Sequence, residues 1–211
     1  MSFFQKLWDK FSLLGFKGTI CCATSRLYMY IMHRQFGFEE WHATAPFCCR
    51  PYKKKVVSII KSLNSNGVVE IGCGLGDIGR NLQEPNKLHY FGIDQDSKVI
   101  DAARYLARNE KLITFKRGSF EDIKTLSSDR FDTLLLLNWP HNIDKKSLVN
   151  MITSNLTNNI QYLLIDGIKQ QSSGYLYYHY AKELIEEGLP FKVKAIIENI
   201  DEVRNLMVFE R

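Results

Sequence analysis

The fold of this chain is decided by one stretch, Val68-Val69-Glu70-Ile71-Gly72-Cys73-Gly74-Leu75-Gly76-Asp77-Ile78-Gly79. An apolar strand leads into a glycine-rich turn, and the turn leads into a helix. Glycine lets the backbone approach a ligand closely, and the first turn of a helix offers free N–H groups. The stretch therefore predicts the first β–α unit of an open α/β sheet, with a ligand site at the turn.

Two glycine patterns compete within this stretch. Residues 74–79 match the dinucleotide pattern GxGxxG, whereas residues 70–76 match the pattern ExGxGxG. In the dinucleotide pattern the first glycine follows the strand directly. Here the residue after the strand is Gly72, and Glu70 stands two positions before it. The second pattern is therefore favoured.

Short apolar runs alternate with helical patterns from Gly67 onward. The predicted strands are Val68–Ile71, His89–Ile93, Ile113–Lys116, Phe131–Leu137 and Tyr162–Ile165. The predicted helices are Asp77–Gln83, Ser97–Asn109, Lys145–Leu156 and Tyr175–Glu187. This alternation predicts a parallel sheet with helices on both faces. Two further strands, Phe191–Glu198 and Leu206–Glu210, are too close in sequence for a parallel crossover and are predicted to pair antiparallel.

The first 66 residues differ in character from the rest. They carry ten Lys/Arg and three Asp/Glu (+7), whereas residues 67–211 carry eighteen and twenty (−2). Helices are predicted over Ser2–Phe16, over Ser25–Gln35 and from Pro51 onward. The first has an apolar stripe of Phe4, Leu7, Trp8, Phe11 and Leu14. The basic excess indicates an anionic partner or a solvated face, and the stripe favours a lid over contact with a membrane surface.

Composition and cysteine usage limit the class of protein. Hydrophobic residues make up 45% and charged residues 24% of the chain, as in globular domains. The longest apolar stretch, residues 11–24, is interrupted by Lys17, so neither a membrane span nor a signal peptide is predicted. The five cysteines form no CxxC pattern. We therefore expect reduced thiols and a cytoplasmic location.

The glycine-rich stretch resembles motif I of the class I S-adenosylmethionine-dependent methyltransferases. Residues 90–94, Tyr-Phe-Gly-Ile-Asp, resemble the family's second strand, and residues 117–122 resemble its adenine loop. Residues 138–141, Asn-Trp-Pro-His, resemble its motif IV. The likeness spans about residues 55–211. It implies an α/β fold with a doubly wound, mostly parallel seven-stranded sheet of order 3-2-1-4-5-7-6, whose last strand is antiparallel.

The resemblance also implies the cofactor, S-adenosylmethionine, and the residues that bind it. Glu70 is expected near the methionine amino group, Asp94 at the ribose hydroxyls, and Phe120 against the adenine. The full predicted set is Glu70, Gly72, Cys73, Gly74, Asp94, Gln95, Ser119, Phe120 and Asn138. The domain is predicted over residues 51–211, after an N-terminal helical or lid extension over residues 1–50.

Catalysis is predicted at the carboxyl ends of the fourth and fifth strands, where open α/β sheets bind ligands. His141 is the favoured general base, because imidazole titrates near neutral pH. Asp166 is the second candidate, and His42 is a further one. A magnesium ion at Asn138 and Asp166 would lack the usual acidic ligands, so no metal is predicted.

The acceptor is expected to contact the front segment, which family members vary. The predicted contacts are Trp41, His42, Arg50 and Tyr52, with Tyr177 and Tyr180 as further aromatic candidates. The predicted function is methyl transfer to a small polar acceptor, neutral or anionic, at an oxygen of a sugar or related metabolite. RNA or protein methylation and a non-catalytic cofactor-binding module stay open as alternatives, and nucleic acid is not the favoured partner.

Overall fold

A seven-stranded sheet forms the centre of the structure, a computed structural model that describes residues 3–44, 46–83, 88–126, 130–170 and 172–211, with side chains from residue 15 onward. The strand order is β3-β2-β1-β4-β5-β7-β6, as the family resemblance implied. Only β7 runs against the others, pairing antiparallel with both β5 and β6. The strands are β1 Gly67–Ile71, β2 His89–Asp94, β3 Ile113–Arg117, β4 Thr133–Leu136, β5 Tyr162–Ile168, β6 Lys192–Ile197 and β7 Arg204–Glu210.

Helices cover both faces of this sheet, and most lie where the sequence predicted them. They are α1 Phe3–Phe36, α2 Glu40–Thr44, α3 Pro51–Ser62, α4 Asp77–Leu82, α5 Ser97–Leu106, α6 Lys145–Asn155 and α7 Ala181–Glu186. The prediction of a helix over Tyr175–Glu187 is wrong for its first six residues. The segment before α7 instead bonds to the loop after β4: the N–H of Tyr177 donates to the carbonyl of His141, and the His179 ring contacts the carbonyl of Pro140.

The leucine run of β4 shows why the sheet is covered twice. Leu134 and Leu136 pack into the core on one face, with α6 and α7 residues such as Leu148, Ile152 and Leu184. Leu135 and Leu137 pack into the core on the other face, with α3 and α4. Because successive side chains of a strand point to opposite faces, a continuous apolar run needs two cores. This places β4 at the middle of the sheet.

The sheet order also places the ligand site. β1 lies between β2 and β4. The chain therefore forms β2 and β3 on one side of β1 and then crosses over to form β4 on the other side. The carboxyl ends of β1, β2 and β4 therefore surround a crevice at the topological switch point. The loops that follow these three strands carry most of the predicted cofactor residues.

Most of the N-terminal extension is one long helix with a break. The two predicted helices both belong to α1, which continues through the residues between them. The backbone of α1 is non-helical at Gly15, which has φ 66° and ψ 176°. Beyond the break, Met29 and Met32 are buried against α5 residues such as Val99 and Ala102. The predicted stripe of Phe4, Leu7, Trp8, Phe11 and Leu14 lies outside the residues whose side chains are described.

A second face of α1 stays exposed. Its large apolar side chains are Phe16, Ile20, Leu27 and Ile31, with Tyr30 beside them. The spacing of four, seven and four residues keeps the first four on one stripe of the helix. Within the described part of the chain, no helix combines the length and apolarity needed to cross a membrane.

The prediction of five reduced thiols is wrong for one pair. Cys22 of α1 is joined by a disulfide to Cys49, which lies in the 3₁₀ turn Phe47–Cys49, with the two Cα atoms 5.6 Å apart. Cys21, Cys48 and Cys73 are free thiols. No local sequence pattern predicts this contact, because it depends on how α1 folds back on the segment before α3.

Candidate active site

A cleft of about 540 Å³ opens at the carboxyl ends of β1, β2 and β4. The front segment, residues 39–53, forms the opposite wall. All nine predicted cofactor residues and all four predicted acceptor residues line this cleft. Further lining residues, for which the sequence indicated no role in the site, include Glu39, Asp77, Asp96, Trp139 and Asn142.

The glycine turn forms the floor of the cleft beneath an indole ring. Gly72 has φ +70°, and a Cβ atom there would lie 2.6 Å from Cδ1 of Trp139. The indole Nε1 donates to the carbonyl of Ile71 over 2.6 Å, which holds the ring in that position. A side chain at position 72 would therefore be strained by the backbone and would also collide with Trp139. Position 76 is equally restricted, because a Cβ there would lie 2.2 Å from the Phe115 ring.

Glu70 presents a buried carboxyl group at one end of the floor. It is 4% exposed, and its Oε2 accepts a hydrogen bond from the hydroxyl of Tyr90. Burial raises the pKa of Glu70 to about 8, although the Tyr90 hydrogen bond and the charge of Lys53 oppose the rise. The carboxyl group is therefore mostly protonated at neutral pH in the structure as it stands.

Asp94 presents a carboxylate at the end of β2, beside the glycine turn. Its Oδ2 accepts from the backbone N–H of Gly74 over 2.9 Å, and its Oδ1 accepts from the N–H of Asp96 over 3.1 Å. Each carboxylate oxygen has a second lone pair. Asp94 is thus fixed in orientation and can still accept hydrogen bonds from two neighbouring hydroxyl groups of a ligand.

Two aromatic side chains, Phe120 and Trp139, form an apolar part of the cleft. Phe120 is 4% exposed, and its ring meets that of Trp139 edge-on with centroids 6.3 Å apart. Ser119 precedes it as the cap of the 3₁₀ turn Phe120–Thr125, where its N–H donates to Asp122. A flat heterocycle fits between such aromatic edges and a polar backbone turn.

The front segment brings an imidazole over the glycine turn. The rings of Trp41 and His42 stack with centroids 3.5 Å apart. Nδ1 of His42 would lie 3.5 Å from a Cβ atom at Gly74. Burial lowers the pKa of His42, against the opposing charges of Asp94 and Asp96, so the ring is neutral at neutral pH. Of the five histidines in the chain, His42 alone lines the cleft.

A hydrogen-bonded chain joins the front segment to the loop after β4. Nη1 of Arg50 donates to the hydroxyl of Tyr52 over 3.4 Å, and that hydroxyl donates to Oδ1 of Asn138 over 2.9 Å. The N–H of Asn138 donates to both carboxylate oxygens of Asp166 at 3.0 Å. Asn138 has φ +69°, a conformation that asparagine tolerates better than most residues. This chain was not visible in the sequence, since Tyr52 and Asn138 are 86 positions apart.

Asp166 lies behind Asn138, away from the cleft surface. It is 3% exposed and forms an ion pair with Arg204, whose Nε is 3.2 Å from Oδ2. Burial raises the pKa of Asp166 to about 6, against the lowering effect of the Arg204 charge. Arg204 also lies over the Tyr52 ring, 5.0 Å from its centroid. The Asp166 carboxylate therefore contacts Asn138 and Arg204 and does not line the cleft.

His141 is also outside the set of cleft-lining residues. Its ring meets Tyr175 edge-on at 4.9 Å, and its buried Nδ1 has no hydrogen-bond partner within the described residues. Burial, with the charges of Arg204 and His179, lowers the pKa of His141. Tyr177 and Tyr180 are about two-fifths exposed and do not line the cleft either. The structure thus brings the predicted cofactor and acceptor residues together, but not the two predicted catalytic ones.

Lys53 and Asp77 form an ion pair inside the cleft. Nζ of Lys53 is 2.5 Å from Oδ2 of Asp77, and Arg80 approaches the other oxygen at 2.6 Å. Burial raises the pKa of Asp77, but the two cations outweigh it and hold the pKa below its ordinary value. Asp77 begins α4, directly after the glycine turn. This position in the sequence could have identified Asp77 as a residue of the cleft.

Comparisons with known proteins agree with this geometry. A family model described as "Methyltransferase domain" matches residues 63–203, about two thirds of the chain. Among curated proteins, ribosomal RNA small subunit methyltransferase A from Mycoplasma pneumoniae (strain ATCC 29342 / M129 / Subtype 1) is 31% identical over 115 residues. That match covers 53% of this chain and 41% of the Mycoplasma protein.

Solved structures share the fold at low sequence identity. Magnesium protoporphyrin IX methyltransferase from Synechocystis PCC 6803, with bound SAM, has a TM-score of 0.61 and 14% identity; the match covers 92% of this chain and 96% of that one. WbdD has a TM-score of 0.59 and 19% identity, covering 74% of this chain and 40% of WbdD. The chain therefore spans about two-fifths of the Mycoplasma protein and of WbdD.

Proposed function

We propose that this chain, which belongs to the family of S-adenosylmethionine-dependent methyltransferases, transfers a methyl group to an oxygen atom of a small polar acceptor, such as a sugar or a related metabolite. The observation that carries the proposal is the bond from Tyr52 to Asn138, which closes the front segment onto the end of β4. It leaves Arg50 on the wall of a confined cleft.

The residues of the cleft fit the cofactor chemically. Trp139 fills the space above Gly72, whereas at Gly74 only the His42 ring lies within 4 Å of a Cβ position, so the backbone of the turn can approach a ligand at Gly74. Glu70 would hold the amino group of the cofactor, Asp94 its ribose hydroxyls, and Ser119 with Phe120 its adenine; Cys73, Gln95 and Asn138 would complete the contacts. When bound, the cofactor supplies a methyl group already activated on a sulfonium, so the protein has to position the acceptor and exclude water.

The acceptor end favours a small molecule that carries hydroxyl or anionic groups. The charge of Lys53 is matched by Asp77, whereas Arg50 donates to the neutral hydroxyl of Tyr52. The guanidinium of Arg50 therefore keeps its charge and its further N–H groups for a ligand. Trp41, which is 56% exposed, adds an aromatic face at the same wall.

RNA methylation is the second candidate, because the curated Mycoplasma relative is named as a ribosomal RNA methyltransferase and the first 66 residues are basic. The charge of the cleft opposes it. The carboxylates that line the cleft, Glu39, Asp77, Asp94 and Asp96, outnumber the cations Arg50 and Lys53, and the protonated Glu70 adds no charge. A polyanionic phosphate backbone needs many cations along its path, whereas a small acceptor needs only the guanidinium of Arg50. We therefore favour the small acceptor over RNA, and catalysis over a binding module.

An oxygen acceptor has to lose its proton, and His42 is better placed than His141 to receive it. The His42 ring is in the cleft, is neutral because of its lowered pKa, and lies over the glycine turn. A neutral imidazole in contact with the substrate can act as a general base. We assign to Asp166 the positioning of Asn138, and His141 stays the alternative base that the sequence suggested.

The decisive experiment follows the labelled methyl group. The purified chain is incubated with radiolabelled S-adenosylmethionine and cell extract, and the extract is separated into small molecules, protein and RNA. Label in the small-molecule fraction is expected. Arg50→Gln should reduce that labelling while leaving S-adenosylhomocysteine binding intact, and Lys54→Gln, an exposed basic residue outside the cleft, should leave it unchanged.

Label in RNA, lost in Lys54→Gln rather than Arg50→Gln, would replace the proposal by the RNA alternative. Binding of S-adenosylhomocysteine without label in any fraction would favour the binding module.

A further inference from the structure

The disulfide between Cys22 and Cys49 fastens a part of α1 that has little other packing. Among residues 15–28, all of whose side chains the structure describes, Cys22 is the one buried residue, at 3% exposure. Gly18, Thr19 and Ser25 are half-buried, and the other ten are exposed. We call residues 15–28 the α1 arm. Its attachment to the rest of the molecule therefore depends on what holds Cys22.

The segments on either side of this attachment are held by ordinary packing. After the α1 arm, Met29 and Met32 are buried in one apolar cluster with Ala43 of α2 and with residues of α5. At the other end of the disulfide, Phe47 packs against the main core, and Tyr52 is 4% exposed within it. These contacts do not involve the sulfur atoms, so they persist when the disulfide is open.

We propose that the Cys22–Cys49 disulfide is a redox-sensitive clamp, whose reduction by a dithiol releases the α1 arm while the cleft keeps its shape. The two cysteines are 27 positions apart, so the bond restricts a long stretch of chain. Opening such a bond loosens the chain most where no packing replaces it. The α1 arm is that place, because its one buried side chain is itself a partner in the disulfide.

The two sulfurs of the clamp differ in access. Cys49 is half-buried, whereas Cys22 is buried, so a thiolate of the dithiol attacks Sγ of Cys49. The bond between the two cysteines breaks, and Cys22 leaves as a thiolate that takes up a proton. The second thiolate of the dithiol then attacks the mixed disulfide, which releases Cys49 and closes the disulfide of the reductant. Two electrons and two protons thus pass from the dithiol to the cysteine pair.

A third sulfur lies beside the clamp. Sγ of Cys48 is within 4.8 Å of both disulfide sulfurs. Burial raises the pKa of the Cys48 thiol, and a protonated thiol does not attack a disulfide. The clamp is therefore stable next to Cys48 at neutral pH, and it opens when an external dithiol supplies the thiolate.

The test is amide hydrogen exchange of the whole chain, measured by mass spectrometry with and without dithiothreitol, a small dithiol. Thiol counting on the same samples shows whether the disulfide is closed or open. After reduction, peptides from the α1 arm should exchange faster by roughly tenfold or more, because local opening becomes easier. Peptides from residues 29–44 and the affinity for S-adenosylhomocysteine should not change. Reoxidation with oxidised glutathione should restore slow exchange.

Matched cysteine variants assign the effect to the clamp. The double variant Cys48→Ser/Cys49→Ser removes both thiols of the turn, and its α1 arm should exchange fast whether or not dithiothreitol is present. Cys48→Ser alone keeps the clamp and should respond to the dithiol as the unmodified protein does. Cys73→Ser removes a free thiol elsewhere and should also respond normally.

Three results would overturn the proposal. The first is unchanged exchange of the α1 arm in protein whose thiol count proves reduction. The second is a count of five thiols in protein purified in air without reductant, since the clamp would then be absent. The third is acceleration that extends equally to residues 29–44. None of these readouts depends on methyl transfer, so the proposed function is tested separately.

Discussion

The hydroxyl of Tyr52 donates to Oδ1 of Asn138 over 2.9 Å, joining the start of α3 to the loop that ends β4. The two residues belong to different parts of the molecule: Tyr52 to the basic front segment, and Asn138 to the loop after the central strand β4. The Arg204 guanidinium lies over the Tyr52 ring, and the Asp166 carboxylate accepts a hydrogen bond from the backbone N–H of Asn138. Because Arg204 and Asp166 are themselves an ion pair, the four side chains form a closed ring of contacts.

The first prediction tests that coupling by a double-mutant cycle in urea unfolding. Tyr52→Phe removes the hydroxyl but keeps a ring for Arg204, and should lower the free energy of unfolding by roughly 0.5–1.5 kcal/mol. Combined with Asn138→Ala, its effect should be smaller than when it is made alone, because the shared hydrogen bond is lost only once. Tyr178→Phe also loses a hydroxyl bond, to the carbonyl of Ser172, and should be additive with Asn138→Ala. Additivity of Tyr52→Phe with Asn138→Ala would disprove the coupling.

The sheet could be predicted from the sequence because its signals are local. The glycine turn at residues 72–76 and the leucine run of β4 each specify an element within a few residues, and the short link between the last two strands specifies their antiparallel pairing. The strand order came from the family resemblance rather than from these signals. The helix before α7 was predicted too long, because tertiary bonds of Tyr177 and His179 replace the helical ones.

The catalytic residues could not be placed in the same way. The prediction of His141 and Asp166 rests on their positions after strands 4 and 5, and residues at strand ends face a ligand only if their side chains point towards it. Asn138, in its positive-φ conformation, occupies the position at the cleft, and Asp166 is behind it. His42 reaches the glycine turn only because α2 folds back over it, a contact across more than thirty residues that no local pattern encodes.

The second prediction concerns Asp94. Asp94→Ala should weaken S-adenosylhomocysteine binding by roughly 1.5–3 kcal/mol, or about 10- to 150-fold, the range for hydrogen bonds to a charged group. Calorimetry measures the change and should show one site per chain in the unmodified protein. Asp101→Ala removes an exposed carboxylate of α5, which is paired with Arg104 at 3.5 Å, and should not alter the affinity. Tight NAD binding without any response to S-adenosylhomocysteine would refute the assignment of the glycine pattern.

The third prediction follows from the pKa of Glu70, about 8 in the ligand-free structure because of burial. If its carboxylate receives the amino group of the cofactor, binding near pH 7 should release a proton, and the affinity should rise as the pH approaches 8. Calorimetry in two buffers with different ionisation enthalpies measures the released protons. Glu70→Gln should release none, and equal release from this variant would contradict the role of Glu70.

The same pKa has a consequence for stability. Because the folded-state pKa lies above the ordinary value, the protonated carboxyl stabilises the fold fully below about pH 4, and this contribution is lost as the pH rises through about 8. Relative to Glu70→Gln, the unmodified protein should therefore lose free energy of unfolding between about pH 5 and pH 8. A constant difference across that range would show that Glu70 is not protonated in the fold.

The fourth prediction concerns the exposed stripe of α1. No acidic residue occurs between Lys10 and Phe38, and Lys17, Arg26 and Arg34 are exposed beside the stripe. Like charge disfavours pairing with a second copy of this helix, whereas an anionic lipid surface is complementary. The chain should co-sediment with vesicles that contain phosphatidylglycerol but not with pure phosphatidylcholine vesicles.

Leu27→Asp, at a 64% exposed position, should abolish this sedimentation without unfolding the protein. Leu176→Asp, at a 71% exposed position elsewhere, is the matched control and should leave it unchanged. Sedimentation that survives Leu27→Asp, or a concentration-dependent dimer in place of vesicle binding, would contradict the assignment.

The last prediction separates His42 from His141 as the group that accepts the proton of the acceptor. Burial lowers the pKa of both rings, so both are neutral at neutral pH, and a base of either kind would lose activity as the pH falls below a pKa under 6.5. The pH profile of the unmodified protein therefore cannot distinguish the two histidines, and substitutions are needed to do so.

Asparagine keeps a hydrogen-bonding side chain but cannot accept a proton at neutral pH. His42→Asn should lower turnover by roughly 10²–10⁴, the contribution of general base catalysis, and should abolish the acidic limb of the profile. His141→Asn should retain most of the turnover, because its ring packs against Tyr175 outside the cleft. The readout is labelled methyl transfer, with S-adenosylhomocysteine affinity measured in parallel to exclude a loss of cofactor binding. The reverse result would restore His141 as the base, and near-normal turnover in both variants would mean that the proton leaves directly to water.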